Sequence, residues 1–275
     1  RFVLMLGAAE IRELAGKLEI RPTKKLGQNF VIDPNTIHRI VTASQISAED
    51  TVVEIGPGLG SLTLGLLETA HQVVAVEVDP KLAAELPATV ARRLPEKKLE
   101  LVLADALQIK SLPLNPTALV ANLPYNISVP VLLHFLASFP SIKKGLVMVQ
   151  AEVAHRLAAQ PGGKEYGSPS LKLAWYGPAR LAGNVGRNVF WPAPNVDSAL
   201  VYFETGAERT ADRKEVFAVI DAAFAQRRKT LRQALSGWAG SATKSEEILV
   251  RAGIDPRTRG EELRIDQFIV IAEAK

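Results

Sequence analysis

The chain has 275 residues, of which 47% are apolar and 23% charged, with a formal net charge of +4. That composition is globular, excludes disorder, permits a polyanionic partner without requiring one, and at about 100–200 residues per domain leaves room for two unequal domains. The absence of cysteine removes disulfides, thiolate zinc sites and cysteine nucleophiles together and fits a reducing compartment, so a cytoplasmic location is expected.

Taken in chain order, the apolar opening runs straight into Glu10, Arg12 and Glu13, which does not read as a signal peptide. A basic leader from Arg21 to Lys25 follows, then Gly27-Gln28-Asn29-Phe30. Asp33-Pro34 opens a helix expected over 35–44, an N-cap with proline at the first helical position. From residue 51 the chain alternates short β-branched runs with longer apolar periods. Strands are expected over 51–55, 72–77, 99–104, 118–121 and 145–150, and helices over 59–69, 80–93, 128–139 and 151–159. This alternation predicts a mostly parallel sheet with helices on both faces. A helix over 168–176 and a closing strand pair, 179–184 and 198–204, complete the expected first domain, 1–205. Beyond it the pattern is purely helical, 213–226, 230–238, 245–252 and 265–274, and predicts a small all-helical domain over 206–275. No apolar stretch approaches the ~20 residues of a membrane-spanning helix. His38, His71, His134 and His155 are scattered without ligand spacing, so no metal is expected.

The chemistry-bearing residues fall at expected strand ends. Glu54-Ile55-Gly56-Pro57-Gly58-Leu59-Gly60 occupies the first strand-to-helix turn, where glycines let a ligand approach the backbone. Its G-x-G-x-G spacing is one residue shorter than the dinucleotide fingerprint, and no Lys-Ser/Thr follows as a phosphate loop needs, which disfavours a dehydrogenase. Glu77, about twenty positions on, suits the two hydroxyls of a ribose. Asp105, followed by Ala106, suits an adenine amino group. Asn122-Leu123-Pro124-Tyr125 ends the fourth strand. An exocyclic amine donates two N–H bonds in its ring plane, which the Asn122 side-chain oxygen and the Leu123 carbonyl can accept at a Pro124 turn, while the Tyr125 ring covers the base face.

In order and spacing these features resemble a class I S-adenosylmethionine methyltransferase with a Rossmann-like sheet, and Asn122–Tyr125 is similar to the motif of enzymes that methylate exocyclic amines. Four further stretches extend the likeness: Lys25–Phe30, Phe190–Ser198, Gln226–Arg232 and Glu261–Phe268. With Asn122–Ser128 they resemble the KsgA (RsmA) family of ribosomal RNA adenine dimethyltransferases over residues 20–272. Because the likeness includes the C-terminal module, it points to the small-subunit enzymes rather than to their Erm large-subunit cousins. The resemblance implies transfer of two methyl groups from S-adenosylmethionine to N6 of each of two adjacent adenosines near the 3′ end of small-subunit rRNA, during ribosome biogenesis. It implies cofactor contacts from Gln28, Asn29 and Val31, Gly56 and Gly58 at the methionine end, Glu77 at the ribose, and Asp105 with Ala106 at the adenine. Asn122 then serves both sites, and Phe190 covers the second face of the target base. Lys24 and Lys25, and Arg227, Arg228, Lys229 and Arg232, are the expected RNA-binding cations. Val31 stands where leucine is common, and Trp191 is bulkier than the usual neighbour. A monomer acting on the small ribosomal subunit is expected. Two alternatives stay open: an Erm-type large-subunit enzyme, and a non-catalytic RNA- or DNA-binding factor on the same fold.

Overall fold

The computed structural model describes residues 5–20 and 29–275; Lys24, Lys25 and Gln28 lie outside them. Two compact units form, one from Arg1–Ala154 and Arg180–Thr205, the other from His155–Ala179 and Gly206–Lys275.

The first unit holds, in chain order, α1 (Ala8–Lys17), β1 (Phe30–Val31), α2 (Pro34–Ser44), β2 (Thr51–Ile55), α3 (Ser61–Thr69), β3 (Gln72–Glu77), α4 (Pro80–Arg93), β4 (Lys98–Leu103), β5 (Ala118–Asn122), α5 (Ser128–Ser138) and β6 (Lys144–Gln150). After α6 (Ala151–Leu157) and α7 (Ser168–Ala174) come β7 (Ala179–Val185), β8 (Phe190–Trp191) and β9 (Ser198–Glu204). The main sheet has seven strands in the order β4-β3-β2-β5-β6-β9-β7. Strands β2 through β6 pair in parallel, and β9 returns antiparallel to β6. The central strands are near-continuous β-branched and aliphatic runs because both faces are covered: Val52, Val53, Val73, Val74, Leu119 and Val120 are all fully buried. Helix starts follow their caps, with Asp79 accepting from the Lys81 and Leu82 amides ahead of α4 and Asp33 accepting from Thr36 ahead of α2.

Topology positions the site. The chain steps outward from β2 to β3 to β4, then returns to β5 on the other side of β2. The order therefore reverses between β2 and β5, and open α/β sheets bind ligands in the crevice beyond the carboxyl ends of such a switch point. The two strands that flank it end in Glu54–Gly60 and in Asn122–Tyr125. Two features were not expected from sequence: α1, and a two-stranded antiparallel ladder, Phe30↔Trp191 and Val31↔Phe190, which ties the segment ahead of α2 to the one before β9.

The second unit differs from the expected 206–275 domain. Residues 155–179 belong to it, because Tyr166, Leu171 and Trp175 pack into one apolar cluster with Val216, Val219, Ile220 and Phe268. Its remaining helices are α8 (Arg213–Ala225), α9 (Leu231–Ala234), α10 (Ser236–Ala239), α11 (Ala242–Arg251) and α12 (Ile265–Glu273). The single helix expected over 230–238 is two short turns meeting at Leu235, where the Ser236 hydroxyl donates to the Gln233 carbonyl and competes with the backbone ladder. Among the described residues no helix is long and apolar enough to cross a membrane.

Candidate active site

A cleft of about 900 Å³, its open mouth included, lies at the switch point and is lined by Asn29, Val31, Gly56, Gly58, Glu77, Asp105, Ala106, Asn122 and Pro124, among others. Every cofactor-site residue expected from sequence that lies within the described residues is on that wall.

The glycine turn is shaped by backbone demand. Gly56, Gly58 and Gly60 have φ of 68°, 59° and 97°, the left-handed region that other residues enter at a cost. Gly58 is doubly constrained, since a Cβ there would stand 2.9 Å from the Phe30 ring. Its amide donates to Glu77 Oε2 at 3.1 Å, and the Val78 and Asp79 amides donate to Oε1 at 2.9 Å each. These three bonds lock the carboxylate and fasten the glycine turn to the end of β3. They use three of a carboxylate's roughly four acceptor positions, leaving one for a ligand hydroxyl. Burial nonetheless raises the Glu77 pKa against the pull of those amides.

Glu54 and Ser61 were not among the expected site residues, yet both line the cleft. Glu54 is fully buried at the end of β2, its Oε2 accepting from Thr63 Oγ1 at 2.6 Å. Burial first, and the Glu77 charge in addition, push its carboxyl up to about 8. Ser61, the first residue of α3, carries one of two buried side-chain polar atoms without a partner among the described residues, the other being Trp238 Nε1. Such a hydroxyl costs about 1–3 kcal/mol. The signal available in sequence was only a serine directly after the glycine turn. At the cleft's other end Asp105 is exposed, with Oδ1 capping the Leu107 amide at 2.9 Å.

On the β5 side, Asn122 Nδ2 donates to the Asn29 carbonyl at 3.1 Å. A carbonyl there demands the amide's N–H end, so the side-chain oxygen Oδ1 is left for the cleft. The next residue, Leu123, is buried and its amide donates to the Met148 carbonyl on β6. Tyr125 is half-buried and its hydroxyl meets Ser198 Oγ at 2.6 Å, which pins the ring. Burial raises its pKa, so the phenol stays neutral. Phe190 is 3% exposed and sits opposite Val31 in the ladder rather than on the cleft wall. Trp191, next to it, is half-buried and stacks on Phe30, with ring centroids 6.3 Å apart and planes at 22°.

The expected RNA-binding cations split into two kinds. Arg227 is held by Glu261 at 2.7 Å and by the Gly163 carbonyl, and Arg232 by Glu246 at 2.6 Å. Arg228 and Lys229 are exposed and make no such pair among the described residues.

A doubly wound sheet whose switch point carries a glycine turn, an acidic second-strand end and an asparagine facing the same crevice is the architecture of a class I methyltransferase. Within that class the sequence is specific: residues 20–275 match the family described as ribosomal RNA adenine dimethylase, and the chain belongs to that family. It is 62% identical to the ribosomal RNA small subunit methyltransferase A of Paenarthrobacter aurescens, over 98% of this chain and 94% of that protein. Its identity to the Streptomyces griseus protein of the same name is also 62%, again over 98% of this chain. Among solved structures, a dimethyladenosine transferase from Plasmodium falciparum superposes with a TM-score of 0.75 at 23% identity, covering 87% of this chain and 94% of that one. The 23S rRNA methyltransferase ErmE superposes at 0.65 with 26% identity, covering 89% and 98%.

Proposed function

We propose that this chain transfers methyl groups to N6 of two adjacent adenosines near the 3′ end of small-subunit rRNA, with S-adenosylmethionine as donor. When bound, that cofactor would supply an electrophilic methyl group on a sulfonium sulfur. The cleft suits it on three counts. The Gly56–Gly60 turn admits a ligand against bare backbone, Glu77 keeps one oriented acceptor position for a ribose hydroxyl, and Asp105 retains a carboxylate oxygen beyond its own turn for an adenine amine.

The observation that carries the reading is the bond from Asn122 Nδ2 to the Asn29 carbonyl on the cleft wall, which assigns the N–H end of the amide and leaves its oxygen as an acceptor. That oxygen accepts one N6–H, and the Leu123 carbonyl is the proposed acceptor for the other. Adenine N6 is a weak nucleophile because its lone pair is delocalised into the ring. Accepting both N–H bonds turns that lone pair toward the methyl group and favours the positive charge that builds on nitrogen. Holding two reactants in line can supply roughly 7–11 kcal/mol of the barrier. The methylated nitrogen is acidic and releases its proton to water, so no histidine base is needed. The Tyr125 ring, pinned through Ser198, gives the flipped base a stacking face worth about 1–3 kcal/mol. For Phe190 to cover the opposite face, its ring, 3% exposed, has to become accessible from the apolar cluster that it packs in.

Small-subunit RNA is favoured over large-subunit RNA by the identity of 62% to proteins named for the small subunit, against 26% to ErmE. The test is incubation with labelled S-adenosylmethionine and either unmethylated small subunits or large-subunit RNA, followed by nucleoside analysis. Dimethyladenosine confined to small-subunit RNA is expected; label in large-subunit RNA, or in neither, overturns the proposal.

A further inference from the structure

Trp191 lies off the cleft wall, yet its indole packs on a residue that shapes that wall. Phe30 and Trp191 are direct partners in the β1–β8 ladder, and residues opposite one another in an antiparallel pair put their side chains on one face. Their ring centroids are 6.3 Å apart with planes at 22°, the range of offset aromatic pairs. The Ile32 amide, donating to the Val189 carbonyl at 2.8 Å, continues the tie between the two segments. From Phe30 the contact passes to the glycine turn. A Cβ on Gly58 would come within 2.9 Å of the Phe30 ring, so the ring rests against bare backbone at a φ of 59°. The Gly58 amide in turn donates to Glu77 Oε2. Phe30, Gly58 and Glu77 all line the cleft. A continuous path of packing thus runs from Trp191 through Phe30 to the bond that fastens the turn to the end of β3.

We infer that Trp191 is a positioning residue for the cofactor: it holds the Phe30 ring on Gly58, fixes the turn and the Glu77 carboxylate that the cofactor meets, and so sets affinity without touching the ligand. The inference rests on the cofactor reading above. A close-packed ring keeps its place because its neighbours leave no volume to retreat into, and removing the indole opens that volume beside Phe30. Another flat ring can still stack there, so phenylalanine can stand in for tryptophan where leucine cannot. A tryptophan that merely covers the ladder would change stability and leave the affinity of the folded chain alone.

The test uses the full chain and S-adenosylhomocysteine, with calorimetric Kd measured at a temperature where every variant is folded. Trp191→Leu should raise Kd about two- to tenfold, the range that the energy of an aromatic pair allows, and Trp191→Phe should stay within about twofold of wild type. Fluorescence gives a second reading. The other two tryptophans, Trp175 and Trp238, belong to the second unit, and ligand binding should change an emission that is present in wild type and lost in Trp191→Phe. An unchanged Kd in Trp191→Leu, a weakening that Trp191→Phe does not relieve, or an emission change that is absent from wild type or persists in Trp191→Phe overturns the assignment, even where the melting temperature falls. If the wild-type chain does not bind S-adenosylhomocysteine, the cofactor reading falls and takes the assignment with it.

Discussion

Asn122 Nδ2 donates to the Asn29 carbonyl at 3.1 Å, joining the end of β5 to the residue ahead of β1 across 93 positions of sequence. One side chain on the cleft wall thus uses its N–H on the backbone and keeps its oxygen as an acceptor. Asn122→Ala is expected to cut methyl transfer about 10²–10³-fold, the usual loss for an oriented transition-state group, with RNA affinity unchanged in filter binding. Asn122→Asp should do further damage. A carboxylate only accepts, so it faces the Asn29 carbonyl with like partial charge and should weaken cofactor binding beyond the alanine variant. Near-normal turnover in either variant would remove Asn122 from the chemistry.

Phe190 and Tyr125 separate packing from stacking. At 3% exposure Phe190 is part of the apolar cluster that includes Phe30 and Val31, so Phe190→Ala should cost about 3–5 kcal/mol of stability. Phe190→Leu keeps most of the volume and should cost under about 1.5 kcal/mol. It nonetheless removes the π face, and turnover should fall about tenfold or more if a base stacks there. Wild-type turnover in the leucine variant would make Phe190 a core residue only. Tyr125→Phe loses the Ser198 bond, worth about 1 kcal/mol, but keeps the ring, so activity should fall only a few-fold.

The strand and glycine pattern was legible because buried parallel strands leave continuous β-branched runs and because turns of positive φ select glycine. Gly56, Gly58, Glu77, Asp105 and Asn122 were all readable as strand-end chemistry for that reason. What escaped was whatever depends on packing rather than period. The ladder that pairs Phe30 with Trp191 is two residues long on each side, too short for any alternation to show. The affiliation of 155–179 with the helical unit rests on where Tyr166 and Trp175 pack, which no local pattern encodes. Likewise the Arg227–Lys229 run reads as one basic cluster, although Arg227 is tied to Glu261 and its neighbours are not.

Glu54 makes stability depend on pH with a definite sign. Its carboxyl is raised in the folded chain from 4.5 to about 8 by burial and by Glu77, so in that window the folded state holds a proton that the unfolded state has released. Stability is therefore full below about pH 4.5 and falls as pH rises toward about 8. Glu77 is shifted in the same direction and adds to the slope. Glu54→Gln retains an acceptor for Thr63 while removing the titration. Thermal melts between about pH 5 and about pH 8 should show a shallower decline than wild type, with the variant the more stable at the alkaline end. An unchanged slope would mean that Glu54 does not hold the proton.

Arg228 and Lys229 should govern RNA affinity where Arg227 does not. An exposed cation that neutralises a phosphate releases counterions, and each phosphate so neutralised steepens log K against log salt by about one unit or slightly less. Arg228→Ala and Lys229→Ala are each expected to weaken RNA binding and flatten that slope. Arg227 is engaged with Glu261 and the Gly163 carbonyl. Its replacement by Ala should leave the slope near wild type and cost at most about 1 kcal/mol of stability, since the pair is partly solvent-screened. Fluorescence anisotropy over a salt series measures the slopes, and thermal melts measure the stability. A flattened slope for Arg227→Ala, with none for Arg228→Ala or Lys229→Ala, would reverse the assignment and show that the Glu261 pair opens on RNA binding.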